Sequence, residues 1–412
     1  SDSKDISSLI ESSLTSLAGE WAIQGPKNDD SVSRNINQAA WAGWWKSINE
    51  QDLLALLREA TAPAALISES DKIFKENNIE LTKKHMNTRK IILILLVALP
   101  SAFVHAETSE KESLQAYNAR MEWFAGAKYG MFIHFGLYSQ VGGVWKGKQI
   151  KKYAEWIQGN ANIDRDEYAE LAKAFNPVDF DADFIVRSAK EAGMTYLVIT
   201  AKHHEGFCLW DSQYTDFDVA NTPFKGRDIL EELSQACKKH GIKFGLYYSI
   251  IDWNHPSQSR PSELGKKDWS GKTILGEGRK QEYVDYQKNQ VLELLKKYDP
   301  AMLWFDGDWA AWWTMKDGME LYRAIRETSP HVIVNNRVAK REGFELDFVT
   351  QEQKHFSGAF PKHWEGCYTM NKSWGYKKHD QAWKDAQTVY NKLKDINEKG
   401  GNLLLNVGPD GK

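Results

Sequence analysis

The chemistry-bearing residues of this chain fall where short apolar runs stop. Four runs end that way: Phe132-Ile133-His134-Phe135-Gly136, Ala201-Lys202-His203-His204-Glu205-Gly206-Phe207, Gly245-Leu246-Tyr247-Tyr248-Ser249 and Leu303-Trp304-Phe305-Asp306-Gly307-Asp308-Trp309. Pro300 precedes the last run and Gly307 closes it, which predicts a buried strand with Asp306 at its carboxyl end. A single Asp in that place would serve equally well as a cap for the next turn. Three histidines, a tyrosine and an aspartate at the same end of successive strands predict a site instead, because strand ends of a parallel α/β barrel share one mouth. Neutral imidazoles suit a hydroxyl-rich ligand, and aromatic rings suit the apolar faces of sugars.

Cleavage of a glycosidic bond needs two carboxylates, one ionised and one protonated. Asp306 is the first candidate. For the second, Glu352 in Thr350-Gln351-Glu352-Gln353 and Glu365 in His363-Trp364-Glu365-Gly366 both fall near strand ends, as does Asp347, while Asp308 reads as a local cap. The histidines lack the His-x-His or His-x-x-x-His spacing that puts two imidazoles on one face, so neither a metal nor another cofactor is expected. Adjacent His203 and His204 diverge in a regular strand, and share a pocket only if the strand ends there.

The elements that must position these residues alternate. Strands are predicted over 129–135, 195–202, 243–249, 303–306, 332–335, 348–350, around Trp364 and over 402–407; helices are predicted over 165–174, 181–192, 228–240, 282–297, 319–327 and 382–396. Repeated β-then-α order predicts a mostly parallel sheet, and this many units favour a closed (β/α)8-like, TIM-type barrel. At 412 residues the chain exceeds the roughly 250 such a barrel needs.

The surplus lies at the front. Residues 1–85 carry helical periodicity but no recognisable chemistry, and read as an extension of unknown role. Residues 86–106 follow: a basic start at Met86-Asn87-Thr88-Arg89-Lys90, an apolar core, and the A-x-A-like end Val104-His105-Ala106. That order predicts a secretory signal peptide and a periplasmic or secreted protein, and the apolar core is shorter than the about 20 residues of a stable membrane span. The catalytic barrel then occupies 107–412. Net charge is −3 with both signs intermixed, which argues against nucleic-acid partners. Cys208, Cys237 and Cys367 show no metal or redox spacing. Oligomeric state is not readable.

The run from Trp123 to Gly411 resembles the family 29 glycoside hydrolases, the retaining α-L-fucosidases. The resemblance rests on the stretch from Lys128 to Gly136, Tyr153-Ala154-Glu155-Trp156, the stretch from Lys202 to Trp210, Tyr247-Tyr248-Ser249, Trp304-Phe305-Asp306-Gly307, Ser373-Trp374-Gly375-Tyr376 and the stretch from Gly400 to Pro409. It implies that Asp306 is the nucleophile. It further implies that His134, Glu155, Trp156, His203, His204, Tyr247, Arg337 and Trp374 surround the fucose of a fucosylated oligosaccharide or glycoconjugate. Glu352, a few residues after Asp347-Phe348, matches one version of the acid/base motif, and Glu365 is the second choice. A catalytically inactive carbohydrate-binding barrel is the competing expectation, and a metal-dependent hydrolase a weaker one. The family usually continues into a final barrel helix and a β-sandwich, and here the sequence stops at Lys412. An exposed last strand, and with it weak stability or aggregation, is therefore expected.

Overall fold

The computed structural model describes residues 112–258, 279–341, 343 and 347–412. The helical extension over 1–85 and the leader-like segment over 86–106 lie outside the described residues. Among these residues the strands are β1 (Tyr129–Ile133), β2 (Val144–Trp145), β3 (Lys148–Gln149), β4 (Tyr196–Lys202), β5 (Lys243–Ser249), β6 (Met302–Asp306), β7 (Ile333–Val334), β8 (Val349–Glu352), β9 (Trp364–Thr369) and β10 (Asn402–Val407). Eight of them form one parallel sheet in the order β7-β6-β5-β4-β1-β10-β9-β8, and β2 pairs with β3 as a separate antiparallel ladder. The two ends of the sheet meet. Asn335, just past β7, bridges Phe348, just before β8, and the Asn336 N–H donates to the Phe348 carbonyl at 3.0 Å. The sheet thus curls onto itself as the alternating sequence pattern predicts.

β10 is not an exposed strand. It lies between β1 and β9 and pairs in parallel with both, so the expectation of unpaired backbone at the last strand is overturned. Curling of the sheet supplies both neighbours.

Side-chain alternation divides the strands into two apolar layers. Phe132, Tyr196, Val198, Met302, Trp304, Ile333, Phe348 and Leu404 pack together, whereas Ile133, Leu197, Ile199, Leu303, Leu403 and Leu405 join a second cluster with residues of the surrounding helices. The helices start where side-chain caps satisfy their first N–H groups. Asp181 caps Ala182–Glu191, Asp228 caps Ile229–His240, and Asp385 caps Ala386–Glu398. Thr314 and Asp317 form a reciprocal capping box, so the helix predicted over 319–327 begins earlier, at Met315, and runs to Thr328.

A helix that the periodicity did not predict, Leu114–Ala127, packs at the amino end of the strands. Phe124 meets Phe348 at 4.6 Å and Tyr196 at 6.4 Å, and its carbonyl accepts from Asn402 Nδ2 at 2.8 Å. Arg120 forms a buried ion pair with Asp347 at 2.7 Å. Asp347 also accepts from Tyr322 Oη and from the Val334 N–H, so it is a structural residue far along the strand from the mouth. No helix among the described residues is long and apolar enough to cross a membrane.

Candidate active site

At the carboxyl ends of the strands lies a cavity of about 110 Å³, lined by Phe132, His134, Tyr153, Glu155, Trp156, His203, His204, Tyr247, Trp304, Asp306, Trp309, Arg337, Glu352, Cys367 and Trp374. It suits one small ring, being below the range of drug-sized pockets. A larger recess of about 900 Å³ lies open near Asp183 and Glu231 on the outer helices, and its charged side chains pair among themselves, Arg227 with Glu232 and Lys239 with Asp183.

Asp306 ends β6, and Gly307 turns the chain away with φ +92°. Its Oδ1 accepts from Arg337 Nη1 at 2.7 Å and its Oδ2 from the Tyr247 hydroxyl at 3.3 Å, with His204 Nε2 at 3.8 Å. Burial alone would raise this carboxyl, but the Arg337 and Arg341 guanidiniums outweigh it and hold it below the usual range. Arg337, in a short 3-10 turn after β7, is 1% exposed and lies over the Trp304 ring at 4.7 Å. Each of its three guanidinium nitrogens donates. Nε donates to Thr350 Oγ1 at 2.9 Å, one arm takes Asp306, and Nη2 donates to Glu352 Oε2 at 3.1 Å. One planar cation therefore bridges the two carboxylates that end β6 and β8.

The histidines are neutral acceptors. His134 Nδ1 lies 2.6 Å from Asn406 Oδ1, and the amide nitrogen of Asn406 donates to the Trp374 carbonyl, so the proton of that contact sits on Nδ1. His204 Nδ1 lies 2.6 Å from Ser249 Oγ, whose own proton goes to the Ile251 carbonyl, which again puts the proton on Nδ1. In both rings Nε2 keeps its lone pair. Burial lowers His134 to about 3 and His204 to about 4, and drives His203 well down. β4 stops at Lys202, so His203 and His204 lie in a turn and both reach the cavity, with rings 4.3 Å apart. Gly206 makes that turn possible: φ is +86°, and a Cβ there would meet Asp252 Oδ1 at 2.2 Å.

Glu155 lies in the segment between β3 and β4. Its Oε2 accepts from the Gly375 N–H at 2.8 Å and from Ser373 Oγ at 3.3 Å, while Oε1 is buried without a partner. Burial, partly offset by those bonds, pushes it up to about 7. The cavity thus presents an ionised carboxylate, a second carboxylate, imidazole acceptors and one unmatched carboxyl oxygen, between indole walls. Trp156 and Trp309 stand edge-on to His204 at 5.2 and 5.5 Å.

The α-L-fucosidase family model matches residues 98–412. The chain belongs to the α-L-fucosidase family. Plasma alpha-L-fucosidase of Pongo abelii is 31% identical over 332 residues, which cover 74% of this chain and 67% of that protein. Among solved structures, unliganded alpha-L-fucosidase AlfC from Lactobacillus casei superposes with a TM-score of 0.64 at 36% identity, over 71% of this chain and 92% of that one. A mutant of the same enzyme in complex with 4-nitrophenyl-α-L-fucopyranoside substrate gives the same four values.

Within this fucosidase fold the structure brings together His134, Glu155, Trp156, His203, His204, Tyr247, Asp306, Arg337, Glu352 and Trp374. Glu365 does not join them. It is fully buried early in β9, where Oε2 accepts from Tyr196 Oη at 2.6 Å and Oε1 from Trp304 Nε1 at 2.9 Å, and it does not line the cavity. Both oxygens are committed, which leaves neither for a leaving group. Asp308 has the local structural role expected of it, although its work is clamping rather than capping: it takes the Arg341 guanidinium at 2.8 and 2.5 Å beside Trp309. Tyr153, Trp309 and Cys367 line the cavity without having been singled out from sequence. Tyr153 sits inside the quoted motif and Trp309 three residues past Asp306, so adjacency to motif residues was the available signal.

Proposed function

We propose that this chain is a retaining, exo-acting α-L-fucosidase that removes terminal α-linked L-fucose from fucosylated glycans through an Asp306 glycosyl ester. The observation that carries the reading is the Arg337 bridge between Asp306 and Glu352 inside a sugar-sized cavity. In the first step an Asp306 carboxylate oxygen attacks the anomeric carbon. The bond to the leaving oxygen breaks, and Glu352 gives that oxygen its proton. In the second step Glu352 takes a proton from water as the water oxygen displaces Asp306. Glu352 suits this role because its side chain is 38% exposed at the cavity mouth, where a leaving group departs and water enters. Arg337 and Tyr247 keep Asp306 ionised and oriented between turnovers.

Recognition follows from the other walls. The Nε2 lone pairs of His134 and His204 and the unpartnered Glu155 Oε1 accept from sugar hydroxyls. The indole edges of Trp156 and Trp309 offer an apolar surface that suits the methyl group of a 6-deoxy sugar. The leader-like order of residues 86–106 supports export to the periplasm or beyond. The test is Asp306→Gly with and without azide on an aryl α-L-fucoside. Loss of turnover by several powers of ten, with azide restoring it as fucosyl azide, is expected; undiminished turnover without Asp306 would remove the assignment.

A further inference from the structure

We infer that Tyr153 is a specificity determinant on the leaving-group side of the cavity, a platform for the second sugar of the glycan rather than for the fucose. The inference rests on the fucosidase reading above. Tyr153 lines the cavity yet is 41% exposed, whereas Tyr247, its counterpart in the floor, is 1% exposed. A ring that is half in the cavity and half outside meets whatever projects from the bound ring.

The direction of that projection is fixed by the acid. Glu352 must reach the glycosidic oxygen, so the group bonded to that oxygen leaves on its side. Tyr153 shares the open rim of the cavity with Glu352: both line it and stay part-exposed, at 41% and 38%, whereas Glu155, His134, His204 and Tyr247 are buried. The backbone of Tyr153 is held firmly. The Tyr153 carbonyl accepts from Asn160 Nδ2 at 3.0 Å, and the next N–H, of Ala154, donates to Ser373 Oγ at 2.9 Å. On the other flank the Lys152 carbonyl accepts from Lys377 Nζ. A half-exposed ring on a pinned backbone loses little freedom when a pyranose packs on it, which is what a platform requires.

Two substrates separate the possible roles. Methyl α-L-fucoside has a poor leaving group and needs the acid, but carries no second ring. An α-L-fucosyl disaccharide, chosen as the best hydrolysed of the 1,2-, 1,3-, 1,4- and 1,6-linked set, needs the acid and carries one. For Tyr153→Ala the ratio of kcat/KM, disaccharide over methyl fucoside, should fall about tenfold, the scale of one lost aromatic contact, and the loss should lie mainly in KM. Tyr153→Phe keeps the ring and should retain most of that ratio, which guards against a folding artefact. An unchanged ratio, whether both substrates keep their rates or both lose equally, overturns the inference; in the second case Tyr153 acts through Glu352 or the fucose. If the wild-type chain cleaves no fucoside at all, the fucosidase reading itself has failed, and that result is distinct from an unchanged ratio.

Discussion

Replacing Arg337 by Met tests the electrostatics of the site through a single side chain. Methionine can still cover Trp304, over which the guanidinium lies at 4.7 Å, so the packing loss is small. What disappears is the cation bridging Asp306 at 2.7 Å and Glu352 at 3.1 Å. Removing one partner of a buried ion pair costs about 3–5 kcal/mol. At about 1.36 kcal/mol per power of ten, that is roughly 10²–10⁴ in kcat/KM if the loss falls on the reactive state. The Arg341 guanidinium still faces Asp306 at 3.8 Å, so the lower end of that range is expected. The sign in pH follows from the causes. Asp306 lies below the usual range because the cations outweigh burial; without Arg337, burial dominates and the carboxyl rises. Since the ionised form is the reactive one, the low-pH limb of kcat/KM should move to higher pH, and activity should partly recover as pH is raised. Arg337→Lys restores the charge without the fork and should fall between wild type and Met. The assay is kcat/KM against pH on an aryl fucoside, with circular dichroism to verify folding. A loss confined to KM with the low-pH limb unmoved would refute the reasoning and make Arg337 a substrate contact only.

Two further outcomes are expected. Glu352→Ala should lose activity on substrates with poor leaving groups and retain much of the glycosylation step with good ones, whereas Glu365→Ala should lower stability and affect both substrates alike; the reverse pattern in kcat/KM would exchange the two. Glu365, pushed up to about 7 by burial, binds a proton in the folded state over the window from about 4.5 to 7 in which the unfolded chain has lost it. Stability from this group is therefore present at low pH and lost as pH rises through 7, by about 3 kcal/mol in all. Glu365→Gln should remove that slope, so the difference in Tm between variant and wild type should grow in the variant's favour from pH 5 to pH 8; a pH-independent difference would contradict the buried, proton-retaining carboxyl.

Much of the barrel was legible because Pro300, Gly307 and Gly206 punctuate apolar runs, and because Asp181 and Asp228 announce helix starts. Asp306, His134, His203, His204 and Tyr247 were legible for the same reason: a strand end is a local feature. The choice between Glu352 and Glu365 was not local. Thr350 pairs with Glu365 and Glu352 with Cys367, so Glu365 sits two residues deeper along its strand, which is roughly 7 Å. Nothing in either segment states that register; it is set by pairing across the sheet. The helix Leu114–Ala127 was missed because its buried stripe of Met121, Phe124 and Ala127 also carries Arg120, whose charge is matched by Asp347 more than two hundred residues away, while the apolar Leu114 stays exposed. Arg337 was named only through the family resemblance, because its role depends on partners from β6 and β8.

The central claim is that Asp306 carries the sugar covalently, and a trapped intermediate tests it most directly. A 2-deoxy-2-fluoro α-L-fucosyl fluoride should inactivate the full chain, because the good leaving group lets the ester form while the fluorine slows its hydrolysis. Intact mass should then rise by one fluorofucosyl group, and peptide mapping should place it within Leu303-Trp304-Phe305-Asp306-Gly307. A label on Glu155 or Glu352, or rapid turnover of fucosides with no covalent adduct, would contradict the account.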